Sequence, residues 1–291
     1  MNPKTWTIKE LLDVSVEFLT EKGIESPRLC AEILLAYQLN TNRVQLYLDF
    51  DQPLTEDEVS GYRTLIKRRI NREPTQYITG LQEFWSMAFR VNSDVLIPRP
   101  ESEILIDQVL TLYSADKNSG PLLDLGTLIG VLTICLAKEF DEIDIYATDI
   151  SQKALDIAEQ NAKTHGVNRR VRFACGDLFQ PFEDKPVSFD IIVSNPPYVT
   201  STELDTLEPE VKDYEPRIAL DGGLDGLCYI EKIIVKSQDF LNPNGWILIE
   251  MDPRHTEKSM RLFEEQRCFS NIRRIKDYSQ KYRVVIAKKI D

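Results

Sequence analysis

Apolar residues recur at three- and four-residue steps between positions 5 and 73, a spacing typical of amphipathic helices. The first apolar stripe consists of Leu11, Leu12, Val16 and Leu19. Gly23 follows this stripe and is placed to end the helix, because glycine adopts the left-handed conformation found after many helix C-termini without steric cost. This part of the chain is therefore predicted to be a small helical bundle.

Two further helix starts carry capping signals. Ser26 precedes Pro27, which predicts an N-cap serine with proline at the first helical position. The helix that follows is expected to bury Leu29, Ile33, Leu34 and Tyr37. Thr55 and Glu58 have the spacing of a capping box, in which the two side chains accept hydrogen bonds from each other's backbone N–H groups.

The pattern changes after Pro74. Aromatic and β-branched residues become dense between positions 76 and 95, around Gly80, which predicts a short β-hairpin. Pro98 and Pro100 then stiffen the entry to a helix expected over residues 101–113. These changes predict a helical domain over residues 1–75, a hairpin linker over 76–97 and a larger domain over 98–291.

The larger domain alternates between short apolar runs and helix-length segments. Strands are predicted over residues 122–125, 143–148, 171–174, 189–194, 246–251 and 282–287. This alternation predicts an α/β fold with a doubly wound, mainly parallel sheet. Ligands of such sheets bind beyond the carboxyl ends of the strands, so the residues that follow each strand are the first candidates for function.

Composition and charge narrow the possible classes of function. The 291 residues are 42% hydrophobic and 28% charged, as in ordinary soluble proteins, and no apolar stretch is long enough to span a membrane. The amino terminus has no secretory pattern, so a cytoplasmic protein is expected. The net charge of -12 disfavours direct binding of nucleic acid.

Cysteine and histidine give no sign of a metal site. The five cysteines include no Cys-x-x-Cys pair and are expected to be small buried residues. Neither His165 nor His255 has a second metal-ligating residue at a useful spacing, so no catalytic metal is expected. One basic stretch fits either the solvated face of a helix or a contact for an acidic or RNA-associated partner. It consists of Arg63, Lys67, Arg68, Arg69 and Arg72.

A glycine turn follows the first strand of the larger domain. It reads Asp124-Leu125-Gly126-Thr127-Leu128-Ile129-Gly130. Such a turn lets backbone N–H groups and a helix amino terminus approach a ligand. Asp149 ends the next strand at roughly the 20-residue offset at which a carboxylate accepts hydrogen bonds from ribose hydroxyls. Taken alone, these residues fit either a nucleoside site or ordinary strand–helix packing.

A more specific pattern ends the strand predicted over residues 189–194. The strand stops at Asn195-Pro196-Pro197-Tyr198. The two prolines remove backbone donors and fix two φ angles, so the asparagine amide and the neighbouring carbonyls are held in a rigid arrangement. Acceptors aimed at one point suit a planar NH₂ group, whose nitrogen they would hold toward an electrophile. Tyr198 would wall in that flat group.

Together these residues resemble amino-methyltransferases that use S-adenosylmethionine, and within them the release-factor glutamine methyltransferases of the HemK or PrmC type. Longer stretches along nearly the whole chain extend the resemblance. They are Ser26-Pro27-Arg28-Leu29, Pro74-Thr75-Gln76-Tyr77-Ile78-Thr79-Gly80, Ile97-Pro98-Arg99-Pro100-Glu101-Ser102-Glu103, Tyr214-Glu215-Pro216-Arg217 and Ala219-Leu220-Asp221-Gly222-Gly223.

The resemblance implies a Rossmann-like, seven-stranded methyltransferase domain preceded by a helical domain that helps to bind a protein substrate. The substrate would be the glutamine of the Gly-Gly-Gln motif in peptide-chain release factors. Asn195 and the Pro196 carbonyl would hold its side-chain amide, with Pro197 shaping the turn and Tyr198 packing against the glutamine. Cofactor contacts would come from residues 126–130, Asp149, Asp177, Leu178 and Asn195.

The glycine turn departs from the family pattern, in which small residues occupy the positions of Leu128 and Ile129. If Leu128 has a positive φ, a branched side chain there costs on the order of 1 to 3 kcal/mol and can occupy cofactor space. Alternatively, both side chains point into the helix–sheet interface and the cofactor site is intact. Pro253 is a second departure and would stiffen the loop after the fifth strand.

Two alternatives to glutamine methylation remain open at this stage. The Asn-Pro-Pro-Tyr motif also serves enzymes that methylate an exocyclic amine of DNA or RNA, although the acidic composition and the lack of a separate basic region disfavour this. A protein with an impaired cofactor site would instead bind a release factor without modifying it.

Overall fold

The computed structural model describes residues 5–116, 120–184 and 187–290 and divides the chain into two compact units. Unit 1 comprises residues 1–81 and 208–214, and unit 2 comprises residues 82–207 and 215–291. This division differs from the predicted domain limits. Most of the hairpin belongs to unit 2, and a short segment far along the chain belongs to unit 1.

Unit 1 contains helices joined by short turns. They are α1 (Ile8–Glu21), α2 (Pro27–Gln38), α3 (Arg43–Leu48), α4 (Glu56–Ile70) and α5 (Thr75–Thr79). Thr7 and Glu10 form a capping box at the start of α1, and Thr55 and Glu58 form the predicted one at α4. Gly23 follows α1 with φ of 64°, which agrees with its predicted role. Apolar side chains of α1, α2 and α4 make up most of the core.

Helix α2 departs from its sequence-based prediction in two ways. It begins after Ser26 as expected, but Ser26 has φ of 48° and its side chain makes no capping hydrogen bond. An N-cap side chain normally reaches the first backbone N–H groups from an extended conformation, which Ser26 does not adopt. Leu34 is fully buried, whereas Leu29 and Tyr37 are exposed, so the predicted apolar face was too wide. The buried stripe follows Ala31, Leu34 and Leu35 instead.

The basic stretch on α4 is neither a purely solvated face nor a free basic patch. Arg69 is buried and donates to Glu210 at 2.8 Å, within unit 1. Arg68 pairs with Glu73, and Arg72 donates to the backbone carbonyl of Gly23. These arginines are thus used inside unit 1.

The predicted hairpin is present, but its turn lies elsewhere than expected. Strands β1 (Leu81–Phe84) and β2 (Met87–Arg90) are joined through Trp85 and Ser86, both with positive φ, as in the tight turns that match strand twist. Gly80, with φ of 73°, ends helix α5 rather than forming the hairpin turn.

The remaining elements, in chain order, complete the fold. The strands are β3 (Leu122–Leu125), β4 (Ile145–Asp149), β5 (Val171–Cys175), β6 (Phe189–Ser194), β7 (Leu241–Glu250), β8 (Phe269–Lys276) and β9 (Tyr282–Lys289). The helices are α6 (Glu103–Asp116), α7 (Val131–Glu139), α8 (Gln152–Thr164), α9 (Pro209–Lys212), α10 (Cys228–Phe240) and α11 (Thr256–Gln266). Helix α9 belongs to unit 1, and a 3₁₀ turn, Pro100–Ser102, precedes α6.

Among the described residues, seven strands form one sheet in the order β5-β4-β3-β6-β7-β9-β8. Every neighbouring pair is parallel except those made by β9, which runs antiparallel to β7 and β8. The α/β fold with a seven-stranded, mainly parallel sheet is therefore confirmed. Strand β8 was not predicted, because polar and charged residues interrupt its apolar positions.

Three further observations concern membrane spans, metal sites and the cysteines. Within residues 5–116, 120–184 and 187–290, no helix is both long and apolar enough to cross a bilayer, and no cluster of side chains could hold a metal ion. Cys30 and Cys135 are buried, but Cys175 and Cys228 are exposed, so the expectation that all cysteines are buried was wrong. Cys175 ends β5 and Cys228 begins α10, where neighbouring elements cover less of each side chain.

Candidate functional site

The register of three parallel strands brings the predicted strand-end residues together. Leu125 at the end of β3 pairs with Thr148 of β4 on one side and with Ser194 of β6 on the other. Ser194 Oγ also donates to the Leu125 carbonyl at 2.8 Å, which fixes the two strand ends side by side. The residues that follow on the three strands therefore lie at one edge of the sheet, namely Gly126, Asp149 and Asn195.

The glycine turn after β3 is held from beneath by a buried carboxylate. Thr127 and Thr133 both donate their hydroxyl hydrogens to Asp124 Oδ2 at 2.7 Å. Asp124 Oδ1 is buried and has no hydrogen-bond partner among the described residues. Burial raises the pKa of Asp124 to about 6, and the two threonine hydroxyls oppose this rise. The turn therefore rests on a partly satisfied polar cluster.

Leu128 has φ of 54°, so the branched residue does occupy a left-handed position. Leu128 is half-buried and lines the cavity described below. Ile129 is fully buried, and its carbonyl accepts a hydrogen bond from Asn161 Nδ2 at 3.0 Å. Of the two alternatives for this pair, the structure thus places Ile129 in the interior and leaves Leu128 at the cavity.

Asp149 is buried at the end of β4 and accepts two backbone hydrogen bonds. Its Oδ2 accepts from the Leu128 N–H and its Oδ1 from the Ser151 N–H, each at 2.9 Å. Burial raises the pKa of Asp149, and these backbone donors oppose the rise. Each carboxylate oxygen can accept more than one hydrogen bond, so both oxygens retain capacity for a ligand hydroxyl.

The Asn-Pro-Pro-Tyr segment leaves β6 in a fixed geometry. Asn195 is half-buried, and its Nδ2 donates to Ser102 Oγ at 3.0 Å. Pro196 is buried, whereas Tyr198 packs partly against the core, and its carbonyl faces His255 Nε2 at 3.3 Å. The end of the segment therefore belongs to the wall of the domain, while Asn195 and Pro197 face the cavity.

One cavity of about 70 Å³ is lined by some of the site residues predicted from the sequence. Among the predicted residues it is lined by Gly126, Leu128, Asp149, Asn195 and Pro197. Thr127, Ile129 and Gly130 shape the turn without lining it, and Pro216, Ile218 and Ala219 add a wall that was not predicted. Its volume is well below the roughly 300 to 1,000 Å³ of typical small-molecule sites. A ligand of nucleoside size would therefore require parts of this wall to move.

Asp177 and Leu178 are not brought into this cavity. They follow β5 and line a separate groove of about 750 Å³, together with residues of α10. The loop nevertheless stays close to β4, since the Gly176 N–H donates to the Asp149 carbonyl and the Thr148 hydroxyl donates to the Leu178 carbonyl, both at 3.0 Å.

Sequence reasoning missed two polar residues next to Asn195. Ser102 and Glu250 are almost completely buried, the Ser102 hydroxyl accepts from Asn195 Nδ2, and Glu250 lies within reach of the same hydroxyl. Burial raises the pKa of Glu250 to about 7, against the effects of the Ser102 hydrogen bond and of Arg283. The sequence signal was a serine between two glutamates after a proline pair, which by itself has no unique meaning.

The chemistry of this edge suits a nucleoside-containing cofactor. A Cβ built on Gly126 would meet no atom within 4 Å, so the space in front of this backbone is open. The buried Asp149 carboxylate lies on the same cavity, where it is placed to accept from a diol. Asp124 Oδ1 adds an unpartnered buried acceptor behind the turn.

Comparison with known proteins assigns the family. The profile of the PrmC N-terminal domain matches residues 10–80, and that of the methyltransferase small domain matches residues 101–210. The release factor glutamine methyltransferase of Geobacter sulfurreducens is 40% identical over 261 residues, covering 90% of this chain and 89% of the relative. The chain belongs to the release factor glutamine methyltransferase family. As a methyltransferase of this family it uses S-adenosylmethionine as its cofactor.

Other members of the release factor glutamine methyltransferase family match over similar lengths. The protein of that name from Rhodopirellula baltica is 38% identical and covers 99% of this chain and 98% of its own length. Among solved structures, a Pyrococcus furiosus methyltransferase aligns with a TM-score of 0.52 at 19% identity, over 71% of this chain and 91% of that one. At this identity the structural likeness shows the fold alone, and it agrees with the mainly parallel sheet.

Proposed function

We propose that this protein transfers the methyl group of S-adenosylmethionine to the side-chain amide nitrogen of the glutamine in the Gly-Gly-Gln motif of peptide-chain release factors. The similarity to proteins named release factor glutamine methyltransferases extends over nearly the whole chain, including the helical region. The structural observation that carries the proposal is that Asn195, Gly126 and Asp149 line the same cavity. We further propose that unit 1 contributes to binding of the protein substrate.

The residues at the sheet edge would hold the cofactor in complementary ways. Asp149 would accept hydrogen bonds from the ribose hydroxyls, and Gly126 would let the cofactor approach the backbone closely. Residues 126–130 would form the turn against which the cofactor lies. Contacts from Asp177 and Leu178 stay a prediction, since these side chains line the neighbouring groove instead of the cavity.

The cofactor supplies an electrophilic sulfonium methyl group when bound, and the protein's role is to position the nucleophile. Asn195 Oδ1 and the Pro196 carbonyl would accept hydrogen bonds from the two hydrogens of the glutamine amide. Pro197 would keep these acceptors rigid, and Tyr198 would pack beside the amide. Orienting two reactants in this way supplies on the order of 7 to 11 kcal/mol of rate enhancement, so a strong base is unnecessary at this site.

The proposal is tested by following labelled methyl groups from S-adenosylmethionine into a purified release factor. Label is expected in the intact factor and absent when the glutamine of its Gly-Gly-Gln motif is replaced. Asn195→Ala should lower kcat by about 100-fold, because an acceptor for the amide hydrogens is lost. Asn242→Ala is the matched control, because Asn242 lies near the start of β7, at the opposite end of the strand from the cavity. Label that persists without the glutamine would contradict the proposal.

Leu128 raises a second possibility, that the protein binds release factors with little or no methyl transfer. The observation that favours it is the small cavity with Leu128 in its wall at a positive φ. Calorimetry with S-adenosylmethionine separates the two functions. Binding at micromolar concentrations supports methyl transfer, whereas no binding at millimolar cofactor supports the binding protein.

A further inference from the structure

A row of three polar residues, Asn195, Ser102 and Glu250, lies at the sheet edge. Ser194 of β6 pairs with Ile249 of β7, so the residues that follow them, Asn195 and Glu250, are neighbours across the two strands. Ser102, from the 3₁₀ turn before α6, lies between their side chains. Its Oγ accepts from Asn195 Nδ2 at 3.0 Å, and the Glu250 carboxyl lies within reach of the same hydroxyl.

This row is shielded from water. Ser102 is 3% exposed and Glu250 is 1% exposed. Glu250 Oε2 is buried and accepts no hydrogen bond within the part of the chain that the structure describes. Among the charged groups that face Glu250, Arg283 favours its ionised form, whereas Glu101 and Asp277 favour the protonated form. Tyr198 also faces Glu250, and the Glu250 charge raises the pKa of that phenol.

The direction of the hydrogen bonds in this row determines how the Asn195 amide is oriented. A serine hydroxyl has one hydrogen, and it can either donate to the Asn195 carbonyl or accept from the Asn195 NH₂ group. An ionised carboxylate can only accept, so an ionised Glu250 takes the single Ser102 hydrogen. Ser102 can then only accept from Asn195. The amide of Asn195 is thereby oriented with Nδ2 toward Ser102 and Oδ1 available to the cavity.

The opposite orientation would be unproductive for a substrate that presents an NH₂ group. A protonated Glu250 can donate to Ser102, which frees the Ser102 hydrogen for Asn195 Oδ1 and allows the amide to turn over. Asn195 would then present Nδ2, a donor, to a glutamine amide that also donates. Two donors that face each other form no hydrogen bond, so the glutamine nitrogen would not be held in line with the methyl group.

We propose that Ser102 and Glu250 are positioning residues that fix the polarity of the Asn195 side chain, so that its carbonyl oxygen faces the methyl acceptor. The inference rests on the proposed function, because it requires an acceptor with an NH₂ group. Neither residue touches the substrate. Both act through Asn195.

The ionisation of Glu250 gives the row a pH dependence. Burial raises the pKa of Glu250 to about 7, which the Ser102 hydrogen bond and Arg283 only partly offset. The ionised form of Glu250, which orients the Asn195 amide, therefore predominates above about pH 7 and is lost as the pH falls. The kcat for methyl transfer should decline between about pH 8 and pH 6, with a midpoint near 7.

The first test compares Ser102→Ala, Ser102→Thr and Glu250→Gln with the wild-type protein. Ser102→Ala should lower kcat by about 10-fold at pH 8, the cost of one lost hydrogen bond, while KM for S-adenosylmethionine changes by less than about twofold. Ser102→Thr keeps the hydroxyl and should restore most of kcat. Glu250→Gln can donate as well as accept, so it should lower kcat and abolish the decline between pH 8 and pH 6.

The matched control is Ser237→Ala, which removes another buried serine hydroxyl, one that donates within α10 to the Ile234 carbonyl at 3.0 Å. It should leave kcat and the pH profile unchanged. Circular dichroism and calorimetry with S-adenosylmethionine verify that each variant folds and binds cofactor. A loss of stability alone would lower activity without altering the pH profile.

A second measurement needs no substrate. In wild-type protein the ¹⁵N and ¹H signals of the Asn195 side-chain amide should titrate with a midpoint near pH 7, and the titration should vanish in Glu250→Gln and Ser102→Ala. Unchanged kcat and pH profiles in both variants, or Asn195 signals independent of Glu250, would overturn the inference. If the wild type transfers no methyl group but the Asn195 titration is intact, the proposed function is rejected. The hydrogen-bonded row is then still supported.

Discussion

Leu128 combines two properties that are rarely found in one residue. It holds a branched side chain at φ of 54°, which costs about 1 to 2 kcal/mol relative to a right-handed conformation, and it lines the candidate cofactor cavity. The backbone is kept in this conformation from both sides, by the Asp149 carboxylate on the Leu128 N–H and by the buried Ile129 that follows. The turn thus retains its shape without a glycine at this position.

Leu128→Gly is expected to strengthen cofactor binding. Removal of the side chain widens the cavity, and glycine adopts the positive φ without steric strain. The Kd for S-adenosylmethionine should fall by about 10-fold or more, which corresponds to relief of about 1.4 kcal/mol. Isothermal titration calorimetry at constant pH measures the change.

Arg267→Gly is the control for Leu128→Gly. Arg267 has φ of 57° at the end of α11 and is exposed, so its replacement relieves similar strain at a position that does not line the cavity. Its Kd for S-adenosylmethionine should equal that of the wild type. Equal affinities of Leu128→Gly and wild type would show that Leu128 does not restrict the site.

At the scale of secondary-structure elements, the segment 208–214 is the least expected feature. It interrupts unit 2 in sequence but belongs to unit 1, where Glu210 of α9 accepts from the buried Arg69. Burial alone would raise the pKa of Glu210, but the hydrogen bonds from Arg69 and Arg72 outweigh it and lower that pKa. The Glu210 carboxylate is therefore ionised at neutral pH and pairs with α4.

Glu210→Gln should destabilise unit 1 by about 2 kcal/mol at pH 7, because Arg69 remains buried without its counter-charge. Since the pKa of Glu210 is lowered in the folded state, its stabilisation is present above the ordinary glutamate range and is lost as the pH falls. The difference between variant and wild type should therefore shrink as the pH falls below the ordinary glutamate range. Urea unfolding followed by circular dichroism measures it.

Asp144→Asn tests whether any lost ion pair would have the same effect. It breaks the pair between Asp144 and Arg172, in which both side chains are more than half exposed. The expected loss is below about 1 kcal/mol. A Glu210→Gln variant as stable as Asp144→Asn would show that the segment is held by contacts other than this ion pair.

At the scale of the whole molecule, charge favours a protein substrate over nucleic acid. The net charge is -12, and Arg68, Arg69 and Arg72 of the basic stretch are paired within unit 1. Phosphate contacts need free basic groups, because affinity for nucleic acid depends on the number of phosphates neutralised. Enzymes that methylate DNA or RNA bases would require such groups close to the site.

An excess of duplex DNA or structured RNA should leave release-factor methylation unchanged within about twofold, at both low and physiological salt. The measurement is methyl transfer with labelled cofactor in the presence of each competitor. Heparin, a polyanion without bases, is the control for nonspecific charge effects. Inhibition by RNA alone, or label in the nucleic acid, would favour the amino-methyltransferase alternative.

Much of the fold follows from local patterns. Strands β3 and β6 have the predicted limits because continuous apolar runs bounded by turn residues are typical of strands buried on both faces. Strand β8 lies at the sheet edge, and Phe269 is its only buried residue. Charged residues such as Arg273 and Arg274 interrupt it, so no apolar run marks it. Its position is evident only from pairing with β9.

The candidate site likewise contains residues that the sequence predicts and residues that it does not. The grouping of Gly126, Asp149 and Asn195 was predictable, because each residue follows a strand and the carboxyl ends of parallel strands share one edge. The inclusion of Ser102 was not, since it reaches Asn195 from a turn 93 positions earlier in the chain. The exclusion of Asp177 and Leu178 from the cavity was not predictable either, because loop direction after β5 depends on packing against α10.

By itself the sequence determined the kinds of element, the edge at which the polar residues collect and the resemblance to a methyltransferase family. These depend on side-chain periodicity and on short motifs, which act over a few residues. Tertiary structure alone decided that Ser102 reaches Asn195, that Leu128 lines the cavity and that residues 208–214 join unit 1. Such features depend on strand register and on contacts between distant parts of the chain, which no local pattern specifies.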